Sequence, residues 1–381
     1  MKLEVKGGLE ARSPTKRGLS QGARLLKLLG EAVARGVFPG AVAAIHFQGG
    51  DYFFTAGFRA LIPQRELNEE ETLYDLASLT KPLFTTLVTL KLVSQGRLSL
   101  ETRLGELYPE EFFREKAYRG VTVRDLLAHS AGLPAWRPYF RDLARVPSGQ
   151  RRAALLQAIL SEPLVYPPRK GELYSDLGFF LLGDLLERRS GRDLEDLWAE
   201  TLSEVAPEAA GELLFRPLQR GLPRERIAPT EICPFRRRLL RGEVHDENTW
   251  VLGGVSGAAG LFGTARGVLT LLKALLEVYH GRPRGFLSPD LLRTFWNHRH
   301  PYGVRALGFD RPSGPSPSAG PFFPRSALGH LGYTGCAFWL APQEGLLAVL
   351  LTNRVHPTRK NRLFQGFRAR FFSELWQVLR R

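Results

Sequence analysis

The two strand-like stretches of this chain lie at its opposite ends, and that separation constrains the fold more than any other feature. Near the N-terminus, "GAVAAIHFQGGDYFFTAGF" (40–58) holds two apolar runs around Gly49-Gly50, a turn pair that favours a hairpin. Near the C-terminus, "GCAFWLAPQEGLLAVLLTNR" (335–354) is a second pair. Between them the pattern is mostly helical: "TVRDLLAHSAGL" (122–133), "RRAALLQAILS" (151–161), "DLGFFLLGDLLERRSG" (176–191) and the run ending in "LLKALLEVYHG" (271–281). "SQGARLLKLLGEAVARGVF" (20–38) has helical periodicity ending near Gly36, and another helix closes the chain from about Leu363. Residues 1–18 read as a polar arm. The economical assembly is one antiparallel sheet built from both chain ends and flanked by helices, an α/β (α+β) architecture. Residues 19–77 and 241–381 form the sheet domain, 78–240 a mostly helical insertion, and the active crevice lies between them. The stretch "RPSGPSPSAGPFFPR" (311–325) is a loop by composition. It immediately precedes His330 and is expected to be mobile and to border the entrance of that crevice.

A chain of 381 residues can bury a sizeable core. No apolar run reaches transmembrane length, and the start has no apolar signal region, so the expectation is a cytoplasmic protein with no membrane partner. Two cysteines, Cys233 and Cys336, give neither a disulfide framework nor metal spacing. The formal net charge of +15 is spread, with local runs at "FRRRLLRG" (235–242) and "RKNRLFQGFRARFF" (359–372). Nucleic-acid binding wants that charge on one stripe interleaved with aromatics, so an arginine-rich surface is the better reading and no nucleic-acid partner is expected.

"DLASLTKPLF" (75–84) opens an apolar segment that reads as a buried helix stopping near Gly96. A helix entering a core does not need a hydroxyl and an amine on its first turn. Ser78 and Lys81 are spaced i, i+3 and share a face. The helix N-terminus adds free N–H groups and a positive dipole end. A serine alcohol is a poor nucleophile until a base takes its proton, and a lysine serves if burial or cationic neighbours lower its pKa. Pro82 disfavours α geometry at Lys81, a local conflict of the kind found at sites. On the tetrapeptide alone, Ser78 as a plain N-cap beside a solvated Lys81 is the alternative. Two further pieces change that weighing. "ELYSDLGFFLLG" (172–183) places Tyr174 and Asp176 before a helix, and "ALGHLGYTGCAFWL" (327–340) places His330-Leu331-Gly332 at the start of a strand.

Ser-x-x-Lys, then Tyr-x-Asn, then Lys/His-x-Gly is the motif order of the serine β-lactamase and penicillin-binding protein superfamily. The chain resembles its class C-like branch, which includes β-lactamases, D-Ala-D-Ala carboxypeptidases and esterases. The likeness runs over residues 20–380. "VRDLLAHSAGLPAW", "EVHDENTWVLGGVSGAAGLFGTARG" and "LLTNRVHP" are similar to further segments of β-lactamase-related serine hydrolases.

The resemblance implies a β-lactamase/transpeptidase-like fold and no cofactor. It implies Ser78 as nucleophile, Lys81 as proton acceptor or relay, and Tyr174 as partner base that later protonates the leaving group. The N–H groups of Ser78 and Tyr333 would form the oxyanion hole, and Gly332 would let substrate backbone lie close. His330 stands in place of a lysine, so reading of a substrate carboxylate should fade as pH rises through neutrality. Asp176 stands where asparagine is usual. It is either a helix N-cap or a site residue whose charge raises the Lys81 pKa. His129 reads as a packed core histidine. His245, Asp246 and Trp250 either line the pocket or pin a loop, while Arg354 and His356 are candidates to hold a carboxylate. His298 and His300 lack the further ligands of a zinc hydrolase, so no metal is expected. The expected activity is acyl-enzyme hydrolysis of an ester, amide or β-lactam bond in a small molecule or short peptide, as a β-lactamase-like esterase or a D-aminopeptidase or carboxypeptidase, with esterase or peptidase favoured over a fast β-lactamase. A penicillin-binding or ligand-sensing protein with little turnover is the alternative.

Overall fold

A computed structural model describes residues 16–380, so most of the polar arm read at 1–18 lies outside the described residues. In chain order the elements that position the site are α1 (Lys16–Ala34), β1 (Gly40–Phe47), β2 (Gly50–Ala60), α2 (Thr86–Ser94), α3 (Asp176–Ser190), α4 (Ala265–Tyr279), β3 (Leu328–Leu331), β4 (Ala337–Ala341), β5 (Leu346–Thr352) and α5 (Phe364–Arg380). One antiparallel sheet joins the two chain ends. Its order is Glu66–Leu67, β2, β1, β5, β4, β3, with β1 paired to β5 through Ala44↔Val349. The β1–β2 hairpin forms where the sequence predicts, but its turn pair is one residue earlier than Gly49-Gly50: Gln48 and Gly49 take φ of 49° and 77°, the paired left-handed conformation of a tight hairpin, and Gly50 already belongs to β2.

The strands alternate, so the sheet has two buried faces. Val42, Ala44, Phe338, Leu340, Leu347 and Val349 join the core that holds α2, α3 and α4. Ala41, Ala43, Ile45, Trp339 and Leu350 face the opposite core with α1 and α5, where Phe38 packs edge-on against Phe364 and Phe367. The 311–325 segment belongs to this second layer. Ala319 and Phe323 are buried there, and the Phe323 ring lies 5.9 Å from Phe372 and 5.2 Å from Trp376. The loop therefore sits on the sheet face opposite the Ser78 segment, and its expected place at the site entrance is corrected. Its Ala and Phe residues are apolar enough to bury against α5, which outweighs its turn-rich composition.

The helical reading also shortens in places. Over 122–133 only Val123–Leu127 is helical. Thr122 and Asp125 cap its start reciprocally, and His129 then turns left-handed at φ 55°. The Ser78 segment is not one α-helix. A short 3₁₀ turn (Ala77–Leu79) leads through a π turn (Lys81–Thr85) into α2. Pro82 has no N–H to give to an α ladder, and the wider turn accommodates it, closed by the Thr86 N–H on the Lys81 carbonyl. Phe84 anchors this turn edge-on to Phe215 (5.0 Å) and Trp198 (5.7 Å), burial worth about 3–5 kcal/mol against alanine. The expected stop at Gly96 holds, with φ 68°.

Candidate active site

A small three-stranded sheet (Tyr74–Asp75, Leu261–Gly263, Leu213–Phe215) delivers the chain to Ser78. Ala77, just before the serine, is held at φ 47°, a conformation that disfavours any side chain. Asp75 over-determines it. Its carboxylate accepts the Ala77 N–H (2.8 Å) and the His245 N–H (2.6 Å), while its carbonyl accepts the Thr334 hydroxyl (2.7 Å). The Ser78 turn, the His245 loop and the turn after β3 are thereby tied to one residue.

Lys81 is fully buried, and its ammonium meets three oxygens: Ser78 Oγ at 3.0 Å, the Ala258 carbonyl at 2.8 Å and Asp176 Oδ1 at 2.7 Å. The glycine-rich 253–263 stretch explains how a carbonyl reaches it. A Cβ on Gly257 would lie 2.1 Å from the Phe179 carbonyl, so only glycine lets α3 and this loop come close enough. Burial alone would pull the lysine pKa down, but the Asp176 charge, aided by Tyr174, more than offsets it and holds Lys81 above its ordinary value. Asp176 is not the N-cap. Ser175 occupies that position, and Asp176 opens α3 with its N–H on the Ala135 carbonyl and its carboxylate on Lys81.

Tyr174 lies beneath Lys81, whose Nζ is 5.2 Å from the ring centroid. Its hydroxyl is buried, close to the Ser78 and Lys81 side chains, yet it meets neither at hydrogen-bonding geometry. Burial pushes the phenol up to about 12, with the Lys81 charge opposing and the Asp176 charge adding. The ring is clamped between His129 (4.6 Å), His330 (5.7 Å) and the Arg305 guanidinium (5.6 Å). His129 is buried, as read from the sequence, and its Nδ1 accepts the Ser175 N–H, which fixes it as neutral.

His330 is the third residue of β3, not the start of a strand. Its Nδ1 pairs with the Leu331 carbonyl at 3.0 Å, which makes Nδ1 the protonated nitrogen and leaves Nε2 as a buried acceptor without a partner. Burial lowers it to about 4, with Asp310 opposing and Lys81 and Arg305 reinforcing. The imidazole is neutral at pH 7, so the expected fading of its charge near neutrality is corrected: that titration falls well below it. Gly332 also answers a need within the protein itself. A Cβ there would lie 2.6 Å from the Leu76 carbonyl, so it is the protein's own backbone that comes close.

Tyr333 is half exposed, and among the described residues its N–H has no acceptor. Its ring stacks on His245 at 5.5 Å, and His245 in turn faces Glu231 at 3.2 Å. The Arg354 guanidinium lies over the same Tyr333 ring, 4.8 Å from its centroid, and donates to the Tyr333 and Asn361 carbonyls. His356 bonds Leu61 N and the Thr230 carbonyl, a structural role, which corrects its reading as a carboxylate ligand. Asp246 caps the short helix Glu247–Val251 through Thr249 N, and Trp250 packs under Arg236. Glu231, Cys233 and Glu247 converge closely enough to ligate an ion, but Arg359 occupies both carboxylates.

Sequence reading missed Asp75, Ala258 and the Arg305 group. Arg305 bonds Glu172 and Asp310, each at 2.6 Å, and covers the Tyr174 ring. Asp75 is visible beside the Ser78-Lys81 motif, but nothing in the sequence marks Arg305.

A sheet built from both chain ends, a Ser-Lys pair at a helix start and a buried tyrosine beside it define the architecture of serine acyl-transferring hydrolases. The Beta-lactamase family profile matches residues 25–366, so the chain belongs to that family. It is a serine hydrolase of the β-lactamase-related group. It is 29% identical over 362 residues to the N-acetylmuramyl-L-alanine amidase of Bacillus subtilis (strain 168), covering 86% of this chain and 81% of the relative. In fold it is similar to EstCE1, a hydrolase with promiscuous acyltransferase activity, at TM-score 0.69 and 20% identity over 94% of this chain and 99% of that one. It is also similar to the octameric penicillin-binding protein homologue from Pyrococcus abyssi, at TM-score 0.65 and 20% identity over 87% and 73%. Among the described residues no helix is long and apolar enough to cross a membrane.

Proposed function

We propose that Ser78 is the nucleophile of an acyl-enzyme hydrolase acting on small esters or amides, in a crevice between residues 78–240 and the sheet-bearing parts 19–77 and 241–381. The observation that carries this is the 3.0 Å contact between Ser78 Oγ and a fully buried Lys81. Lys81 in its free-amine form takes the Ser78 proton as Oγ bonds to the substrate carbonyl carbon. Charge develops on the carbonyl oxygen, which the Ser78 and Tyr333 N–H groups receive. The proton then passes by way of Tyr174 Oη to the leaving alcohol or amine as its bond to the acyl carbon breaks. Water repeats the sequence on the acyl-enzyme.

Two features favour esters and amides over β-lactams. Asp176 holds the proton on Lys81, which slows acylation at neutral pH. His330 presents no charge to the carboxylate that penicillins carry. The B. subtilis relative's name makes an amide bond to an amino acid a sensible second substrate to assay. A cytoplasmic location belongs to the same reading.

Mass spectrometry after treatment with a fluorophosphonate should give a single adduct on the peptide containing Ser78. Adduct formation that persists in Ser78→Ala would overturn the assignment. A stoichiometric burst with no turnover on esters, amides or nitrocefin would favour the ligand-sensing alternative.

A further inference from the structure

The two N–H groups assigned to the oxyanion come from distant parts of the chain, Ser78 and Tyr333, and must be aligned for one carbonyl oxygen. The Tyr333 turn has few bonds of its own. The Gly332 N–H meets the Cys336 carbonyl (2.6 Å), and the Gly335 N–H meets the Gly332 carbonyl (3.0 Å). The Tyr333 side chain is half exposed, and its ring lies nearly parallel to the His245 ring, at 25° and 5.5 Å.

His245 is buried and held at three points. Its N–H reaches the Asp75 carboxylate (2.6 Å), its carbonyl accepts from Arg236 (2.6 Å), and its ring Nε2 faces Glu231 at 3.2 Å. Glu231 is buried too, and Arg359 Nε bonds both of its oxygens (2.8 and 2.9 Å). The ring is therefore fixed from its far edge as well as through its backbone. Among the described residues no hydrogen bond joins His245 to Ser78, Lys81 or Tyr174, so it carries no proton in the reaction. Asp75 connects the two donors: the carboxylate that accepts the His245 N–H also accepts the Ala77 N–H (2.8 Å), one residue before Ser78. Buried ion clusters seldom out-stabilise apolar packing. What this one supplies is a ring in a set place beside Tyr333.

Building on the Ser78 acyl-enzyme reading, we propose that His245 is a positioning residue for the oxyanion hole: anchored by Asp75 and Glu231, its ring holds the Tyr333 turn so that the Tyr333 N–H and the Ser78 N–H share one oxygen.

The test uses 4-nitrophenyl benzoate and its thiono analogue, in which sulfur replaces the carbonyl oxygen and accepts hydrogen bonds poorly. The ratio of their kcat/KM values reads the hole and cancels any general loss of rate. Removing one oxyanion donor costs about 10²–10³ in kcat, and a displaced donor costs less, so His245→Ala should lower the oxygen-to-sulfur ratio by at least about tenfold. Phenylboronic acid, whose adduct on Ser78 places an oxygen at the same N–H groups, should lose affinity in parallel. His245→Phe, which keeps a ring against Tyr333, should recover part of both losses; recovery of neither would overturn the stack as the link. Tyr333→Ala removes a half-exposed ring and keeps its own N–H, so it carries the test even if His245→Ala fails to fold, and it should lower the ratio as well. The double variant should fall no further than the lower single one, because both act through one contact. An unchanged ratio in Tyr333→Ala, or losses that multiply in the double variant, would overturn this inference and leave the hydrolase reading intact. No nitrophenol from the benzoate and no fluorophosphonate adduct on Ser78 in the unaltered protein would overturn the hydrolase reading itself.

Discussion

Replacing Asp176 by asparagine should move the pH dependence of acylation downward, and the structure sets the scale. The Asp176 carboxylate lies 2.7 Å from a fully buried ammonium. At an effective dielectric of about 20, the bare attraction at that distance is about 6 kcal/mol. Desolvation of Lys81 and its bond to the Ala258 carbonyl persist in the variant, so only part of this appears as a pKa change. Opposite charges in contact usually shift a group by about 1–3 units, or about 1.4–4 kcal/mol. The sign follows from which form the carboxylate favours. It stabilises the ammonium, and the ammonium cannot take the serine proton. Removing the charge frees the amine at lower pH. The assay is kcat/KM for a neutral ester from pH 6 to about 12 in both proteins, a range that extends past the ordinary lysine value of about 10.4. The rising limb of Asp176→Asn should lie about 1–3 units below that of the wild type, with acylation at pH 7 faster by tenfold or more. The position of the limb does not depend on the absolute rate, so looser substrate binding leaves the test valid. A limb that stays in place or moves up would refute Lys81 as the base and point to Tyr174.

Arg305→Met should lower kcat about tenfold or more with little change in KM, because it frees the Tyr174 ring without touching the Ser-Lys pair; an equal loss confined to KM would place Arg305 in binding. Gly332→Ala forces a Cβ to within 2.6 Å of the Leu76 carbonyl, so denaturant unfolding should report a loss of about 1–3 kcal/mol along with reduced acylation. Glu66 is lowered to about 2, first by its two bonds from Arg241 (2.7 and 2.6 Å). Its folded pKa lies below the unfolded value, so its contribution of up to about 3 kcal/mol is present above about pH 4.3 and is lost as pH falls toward 2. Arg241→Met should flatten the stability profile across that window, and an unchanged acid limb would exclude the pair as its source.

The parts of this protein that were legible in the sequence are those in which local pattern and tertiary need agree. The hairpin that turns at Gln48-Gly49, the strand pair around Pro342–Gly345 and the closing helix from Phe364 all follow from periodicity and turn chemistry. The misreadings share a different cause. The Ser78 segment reads as one helix because nothing in its composition marks the 3₁₀ and π turns that Pro82 and the surrounding packing impose. The 311–325 loop was placed by its closeness in sequence to His330. Its location is decided instead by Phe323 and Ala319 burying against α5. Arg305 escaped notice because its importance comes from Glu172, far away in sequence, and from a ring it merely covers.

The motifs located Ser78, Lys81 and Tyr174, yet protonation at the site is set by groups the motifs do not describe. Lys81 resembles an activated amine when judged by burial alone, since desolvation favours the neutral form. One carboxylate at 2.7 Å reverses that outcome. His330 resembles a neutral-pH switch when judged by residue type, and burial, reinforced by the Lys81 and Arg305 charges, removes the switch from that range. In both cases the sequence names the titrating group and the surrounding fold decides its charge. Both changes act in one direction: each lowers the attraction of the site for an anion, Asp176 by adding negative charge and His330 by withholding positive charge.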